Sequence, residues 1–221
     1  MIYETFGMTE CLIIPPKLYD PRRRESCGRP IEDYEVRIAD DDDLSLPPRQ
    51  IGEIVMRPRE PYTMMSGYYK LPEATLEAFR NLWFHTGDFG YFDEDGFLYY
   101  VGRKKDAIRR RGENISAFEI ESAINHHSAV LESAAIAVPS ELGEDDVKVV
   151  VVLKQEATLT PEELIRFCEP RMAYFMIPRY IEFRDALPKN PSQRVEKYIL
   201  RAQGITAATW DREKAGLELK R

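Results

Sequence analysis

The sequence predicts an α+β protein: a small β-rich subdomain, with the character of a distorted barrel, followed by a small α+β domain whose central three-stranded sheet is flanked by helices. Three observations predict it. Short apolar runs punctuated by turns fill the chain from Cys27 to Arg103. Two helix-start signatures, at Ser116 and Thr160, occur only after that point. Between the two textures, at Arg103–Arg110, apolar content collapses into charge, as a linker requires. Residues 1–105 then form one domain, 106–203 a second, and 204–221 a polar tail.

In the first half, Glu35–Ile38, Glu53–Arg57 and Gly96–Val101 are strand candidates, several alternating apolar with polar, the period of half-buried strands. Asp93-Glu94-Asp95-Gly96, set between Tyr91-Phe92 and Phe97–Tyr100, marks a hairpin. The acidic run Asp40–Asp43 before Pro47-Pro48 reads as a solvated loop, because a calcium loop spaces its carboxylates around a glycine. In the second half, Ser116-Ala117-Phe118-Glu119 is a capping box opening a helix with Phe118, Ile120, Ala123 and Ile124 mostly on one face. Thr160-Pro161-Glu162-Glu163 repeats the device, with proline where a missing N–H costs nothing. Ser133–Val138, Val147–Leu153 and Arg179–Phe183 read as strands, the second apolar and therefore central. A last short helix is expected from about Val195 to Arg201.

Composition excludes several classes. A net charge of −7 disfavours general nucleic-acid binding. The basic runs Arg22–Arg24, Arg103–Lys105 and Arg109–Arg111 read as solvated faces balanced by nearby acids. Cys11, Cys27 and Cys168 are scattered without CxxC spacing, which suits a reducing compartment and supplies neither a zinc site nor a disulfide framework. His85, His126 and His127 have no partner at metal-ligand spacing. No apolar run reaches the ~20 residues a membrane span needs, and Met1–Glu4 lacks the basic head and long apolar centre of a signal peptide. The chain reads as cytoplasmic.

Four islands carry chemistry. In Phe6-Gly7-Met8-Thr9-Glu10 the glycine allows close backbone approach, the threonine offers a hydroxyl to a phosphate oxygen, and the glutamate offers a carboxylate to Mg²⁺. In Trp83–Asp88 the aspartate follows a glycine turn and can accept from two vicinal hydroxyls, as a ribose presents them; an Asx turn is the better account of Asp88 taken alone. Gly102-Arg103-Lys104-Lys105-Asp106 places a permanent cation where ribose and phosphate oxygens could meet it, and Gly112-Glu113-Asn114 follows as a loop able to approach a ligand. A basic interdomain linker explains that stretch as well. Leu187–Lys197, stiffened by Pro188 and Pro191, delivers a cation at its tip or is a plain exposed turn.

The order and spacing of these islands resemble the adenylate-forming enzymes: AMP-forming acyl-CoA synthetases, peptide-synthetase adenylation domains and luciferases. The match runs from Tyr3 to Arg201 and looks most like the carboxy-terminal portion of a carnitine/crotonobetaine-type or fatty-acid CoA ligase. The resemblance implies that Phe6 stacks on adenine beside Gly7, that Thr9 contacts phosphate and that Glu10 binds Mg²⁺. Asp88 is implied to hold both ribose hydroxyls, with Tyr100 and Arg103 beside it. Asp106 falls at the hinge of a mobile carboxy-terminal domain, and Gly112 lines the pantetheine path. The implied reaction uses ATP, Mg²⁺ and coenzyme A: a carboxylate attacks the α-phosphate to give acyl-AMP and pyrophosphate, and the CoA thiol then displaces AMP.

Two departures qualify the resemblance. The family loop ends in Gly-Lys, whereas here the pair is Gln193-Arg194; Arg194 keeps the catalytic charge on a bulkier planar fork, or Lys197 compensates. The Ser/Thr/Gly-rich phosphate loop is absent, as is most of the large domain that forms the acyl pocket. The expectation is therefore a fragment inactive alone and prone to self-association through apolar surface; the alternative is a catalytically inactive nucleotide- or CoA-binding or assembly module.

Overall fold

A computed structural model describes residues 5–11, 23, 25–110, 112–140 and 143–219. Tyr3, Arg22, Arg24 and Arg111, singled out above, lie outside the described residues. The contacts divide the chain into two compact units, Met1–Lys105 and Asp106–Arg221.

In the first unit, strands β1 (Tyr34–Ala39), β2 (Gly52–Pro58), β3 (Phe84–Phe92) and β4 (Leu98–Arg103) form an antiparallel sheet in sequential order, with helix α1 (Pro72–Ala78) between β2 and β3. The sheet is open rather than closed into the expected distorted barrel. Cys27 and Gly28 take the outer edge of β4 instead, Cys27 donating its amide to the Leu98 carbonyl at 2.8 Å and Gly28 accepting from Leu98 at 2.9 Å. The β3–β4 hairpin closes at Asp93–Gly96: Asp93 Oδ1 takes the amides of Asp95 and Phe97, and Gly96 adopts φ 77°. One sheet face packs Phe6, Cys27, Tyr34, Ile54, Met56, Phe84 and Leu98 into a core. The other buries Val55 with Ala39 and Trp83, the last lying under the guanidinium groups of Arg37 and Arg57 at 4.0 and 4.6 Å. Because both faces of β2 are covered, Glu53–Met56 are all buried, and an alternating pattern would assign half of them to solvent. The acidic loop is not wholly solvated: Asp43 is nearly buried and meets Arg80 Nη2 at 3.4 Å.

The second unit opens with a hairpin of β5 (Ala107–Arg110) and β6 (Glu113–Ser116), then runs α2 (Ala117–Asn125), β7 (Val130–Pro139), β8 (Asp145–Leu153), α3 (Pro161–Cys168), β9 (Tyr180–Phe183), α4 (Lys197–Gln203) and β10 (Trp210–Asp211). Its sheet order is β10-β9-β8-β7, antiparallel except for the β8–β9 pair. Both caps form: Ser116 Oγ accepts the Glu119 amide at 3.3 Å, and Thr160 and Glu163 bond reciprocally at 3.2 and 2.8 Å. Ala117, Ile120 and Ile124 form the inward stripe of α2, so Phe118 does not join it and stands 53% exposed.

Three expectations change here. The segment after 203 is not simply a polar tail: Trp210 pairs opposite Ile181, Arg212 is buried, and Leu217 and Leu219 pack on the core. The charged stretch Arg103–Arg110 is not an open linker, since residues 104–106 form a 3-10 turn and β5 belongs to the second unit. Within it Arg110, only 4% exposed, binds Asp146 Oδ1 through Nε at 3.0 Å and donates Nη1 to the Phe175 and Ile177 carbonyls at 3.1 and 3.0 Å. No helix among the described residues is long and apolar enough to cross a membrane.

The apolar central strand β8 contains a buried charge. Lys148 Nζ sits 2.6 Å from Glu182 Oε2 and donates to the Gly204 carbonyl at 2.6 Å, while Thr206 and Thr209 hydroxyls donate to the same carboxylate, each at 2.8 Å. Burial pushes the Glu182 carboxyl up, but Lys148, Arg184 and the two hydroxyls outweigh it and hold it at about 2, against an ordinary value of 4.5. A depressed carboxyl stabilises the fold above its unfolded value, so this contribution disappears as pH falls from 4.5 through about 2. Trp83 reports on the first unit and Trp210 on the second. In a Trp83→Phe background, urea titrations followed by Trp210 fluorescence should show the acid loss, and Lys148→Ala should cost about 2–3 kcal/mol by removing one charged partner of Glu182 while Arg184 and the two hydroxyls remain. A loss below about 1 kcal/mol would contradict the buried pair.

Candidate functional site

The Thr86-Gly87-Asp88 island lies on a distortion of the first sheet. Phe89 of β3 pairs with Glu53 and His85 pairs with Val55, so Thr86, Gly87 and Asp88 stand opposite Ile54 alone. Such a bulge removes ladder partners and re-aims side chains. The orphaned amides find local acceptors: Asp88 N–H donates to Thr86 Oγ1 at 3.1 Å, Thr86 Oγ1 donates to the Ile54 carbonyl at 2.7 Å, and Gly87 N–H donates to Glu53 Oε1 at 3.1 Å. Gly87 takes φ 69°, a conformation that favours glycine.

On its other edge Asp88 faces β4. It pairs in register with Arg103, whose Nε lies 3.8 Å from Asp88 Oδ1; the carboxylate is nearly buried and the guanidinium about half exposed. Tyr100, also on β4, meets the ring of buried Phe6 at 6.1 Å between centroids, so in this structure Phe6 packs in the core. Gly7 and Thr9 are exposed, and Glu10 accepts from the Tyr68 hydroxyl at 3.1 Å while its carbonyl takes the Met65 amide at 2.9 Å. Burial, reinforced by the nearby charges of Glu10 and Asp88, pushes the Cys11 thiol up to about 12, which makes it an inert core group lying between the two carboxylates' fields. The structure thus brings the first island, Asp88, Tyr100 and Arg103 into one region of the first unit. Glu10 offers a single half-exposed carboxylate, which fits Mg²⁺, an ion commonly held by one or two carboxylates together with substrate phosphates.

The remaining candidates lie in the second unit. Asp106, its first residue, is ion-paired with Arg201 of α4. Gly112 is exposed at the β5–β6 turn with φ 80°, its amide donating to Glu144 Oε1 at 3.1 Å. Glu113 and Asn114 are strand residues of β6 rather than loop. In the Leu187–Lys197 loop, Asn190 Oδ1 accepts the Ser192 and Arg194 amides at 3.1 and 2.9 Å, a local knot that holds Arg194 exposed at the tip. Lys197 is engaged by Glu121 Oε1 at 2.7 Å and Lys189 by Glu132 Oε2 at 2.6 Å, while Arg194 is exposed at the tip. Gln193 adopts φ 64°, the left-handed region, at the position where the family pattern carries glycine.

Sequence reasoning missed Glu53 and His85. Glu53 is 3% exposed, and its Oε2 lies 3.2 Å from both His85 Nδ1 and Lys104 Nζ and 3.4 Å from Arg80 Nη2. Burial raises the Glu53 carboxyl, but the His85 and Lys104 partners more than offset it and hold it below the ordinary range. The only signal was an acidic residue opening an otherwise apolar strand.

Two family matches cover most of the chain: AMP-binding enzyme over residues 1–69 and AMP-binding enzyme C-terminal domain over residues 119–194. The chain belongs to the AMP-binding, adenylate-forming ligase family. It is 39% identical over 199 residues to the crotonobetaine/carnitine–CoA ligase of Salmonella arizonae, covering 89% of this chain and 38% of that protein, and 41% identical over 196 residues to that of Citrobacter koseri, covering 87% and 38%. Among solved structures it resembles ATP-bound MatB from Rhodopseudomonas palustris (TM-score 0.79, 32% identity, 90% of this chain and 40% of that one). It also resembles O-succinylbenzoate coenzyme A synthetase from Bacillus subtilis in complex with AMP (TM-score 0.79, 30% identity, 94% and 41%). The chain thus spans less than half the length of these relatives.

Two substitutions at left-handed positions should act in opposite directions. Gln193→Gly relieves strain and should raise the stability of the second unit by up to about 1 kcal/mol, whereas Gly112→Ala should lower it by about 1 kcal/mol, since a Cβ there meets nothing within 4 Å and only the backbone objects. Trp210-monitored urea midpoints check both; a shared sign would refute the assignment.

Proposed function

We propose that this chain supplies the ribose clamp, hinge and mobile domain of an ATP-dependent acyl-CoA ligase that joins a carboxylic acid to coenzyme A through an acyl-adenylate. The observation that carries the reading is the Asp88–Arg103 pair, set side by side on adjacent strands by a bulge whose backbone is bonded locally. In the first half-reaction a carboxylate oxygen attacks the α-phosphorus of ATP, and the bond to the β-phosphate breaks to release pyrophosphate. In the second, the CoA sulfur attacks the acyl carbon and AMP departs as the leaving group.

Asp88 accepts from both ribose hydroxyls, a charge-assisted interaction stronger than one between neutral groups. Arg103 turns Asp88 toward the nucleotide, and Tyr100 flanks the sugar. Thr9 contacts phosphate. Glu10, steadied by Tyr68, would hold Mg²⁺, which supplies charge neutralisation for the phosphates when bound. Phe6, buried against Tyr100, backs the adenine site from within the core. Arg194 provides the positive charge toward carboxylate and phosphate that a lysine provides in the family pattern, and Gly112 borders the pantetheine path. Rotation about Asp106 between half-reactions requires its bond to Arg201 to remain with the second unit. Three buried cysteines with no disulfide suit a reducing cytoplasm.

Calorimetry with AMP and with coenzyme A tests the reading. AMP should bind, and Asp88→Ala should weaken it by about a hundredfold, the worth of two hydrogen bonds to a charged group. Binding of neither ligand would favour an assembly role, and an Asp88→Ala variant that binds AMP as tightly as the native chain would remove the ribose clamp.

A further inference from the structure

We propose that Glu53 is a positioning residue for the ribose clamp, its two carboxylate oxygens fixing both strands that carry the clamp from behind. The inference rests on the ribose-binding reading of Asp88. Oε1 accepts the Gly87 amide at 3.1 Å, and Gly87 is the residue immediately before Asp88. Oε2 lies 3.2 Å from Lys104 Nζ, and Lys104 is the residue immediately after Arg103. One carboxylate therefore spans from the bulge of β3 to the end of β4, each oxygen one residue away from a member of the pair.

The geometry explains why a charge sits at this place. With Thr86–Asp88 opposite Ile54 alone, the Gly87 N–H has no ladder partner. An apolar side chain at position 53 would leave that partly buried amide without this acceptor. A neutral amide there would present its NH₂ group to Lys104 and Arg80, donor against donor. A carboxylate accepts from the amide and the ammonium together, and His85 Nδ1 at 3.2 Å with Arg80 Nη2 at 3.4 Å surrounds its second oxygen. Lys104 is further anchored by Asp41 Oδ1 at 3.2 Å, so the end of β4 is held from two sides. Glu53 touches no expected ligand atom and acts only through where Asp88 and Arg103 point.

A ligand comparison separates positioning from mere structural support. Calorimetry measures AMP and 2′,3′-dideoxy-AMP binding to the native chain, Asp88→Ala, Glu53→Gln and Lys104→Gln, with near-ultraviolet circular dichroism confirming the fold of each. The native chain should prefer AMP by about a hundredfold, Asp88→Ala should show almost no preference, and Glu53→Gln should retain about tenfold. Lys104→Gln, a partly exposed site expected to fold, should reduce the preference in the same direction to a lesser extent. A structural effect would weaken both nucleotides equally and leave the ratio unchanged. If Asp88→Ala collapses the preference while Glu53→Gln keeps it at the native value, the positioning role is wrong and the ribose clamp stands. If Asp88→Ala itself leaves the preference intact, both fall. Should Glu53→Gln fail to fold, an unaltered ratio in Lys104→Gln overturns the proposal and a reduced one sustains it.

Discussion

Three residues of β3 stand opposite one residue of β2, and the backbone groups this leaves without ladder partners must be bonded somewhere. The first unit is arranged around that constraint. Thr86 uses its hydroxyl twice, toward Ile54 and toward Asp88, and Glu53 turns a carboxylate inward to take the Gly87 amide. Satisfied in this way, the bulge projects Asp88 toward β4 instead of continuing the pleat, and the side-by-side placement with Arg103 follows. Placing a carboxylate there is costly in desolvation, and the surrounding His85, Lys104 and Arg80 offset it. A regular strand in the same place would have been more economical in buried charge and would have lacked a clamp.

The second unit handles buried charge for a different purpose. Its sheet is small, and two of its strands are short: β9 has four residues and β10 two. Buried ion networks supply cross-links that so little strand pairing cannot. Arg179 joins Asp146 of β8 at 3.0 Å to Asp211 of β10 at 3.3 Å, and Arg110 joins Asp146 to the carbonyls before β9. Lys148 and Glu182 bind the loop after α4, through Gly204, Thr206 and Thr209, onto the central strands. These networks keep a compact body from which the Leu187–Lys197 loop projects, anchored in the core by Leu187 and shaped at its tip by the Asn190 side chain. That division suits a domain that carries an exposed cation on a rigid frame.

Much of this was legible in the residues. The hairpin at Asp93–Gly96, the caps at Ser116 and Thr160, and the long strands of the second unit follow from turn chemistry, capping oxygens and runs of β-branched residues, all of which act within a few positions. The four islands were visible for the same reason: glycine, proline and acidic residues stand out at turns. What stayed hidden depends on partners distant in the chain. Lys148 passed unremarked in a strand read as apolar because Glu182 is 34 positions away. Arg110 looked solvated because Asp146 and two carbonyls reach it only after folding. Glu53 looked like the outward member of an alternating strand because nothing local reveals that β2 is covered on both faces.

By itself, the sequence determined the hairpin at Asp93–Gly96, the helix starts at Ser116 and Thr160, the longer strands of the second unit, and which family its motifs belong to, since each of these is written in near neighbours and in residue order. Only the tertiary structure decided that residues past 203 close the second sheet, that Lys197 is engaged by Glu121, and that one buried carboxylate stands behind both Asp88 and Arg103. The reason is the same in each case. Burial and long-range hydrogen bonding are properties of the packed chain, and a residue's neighbours in sequence carry no record of them.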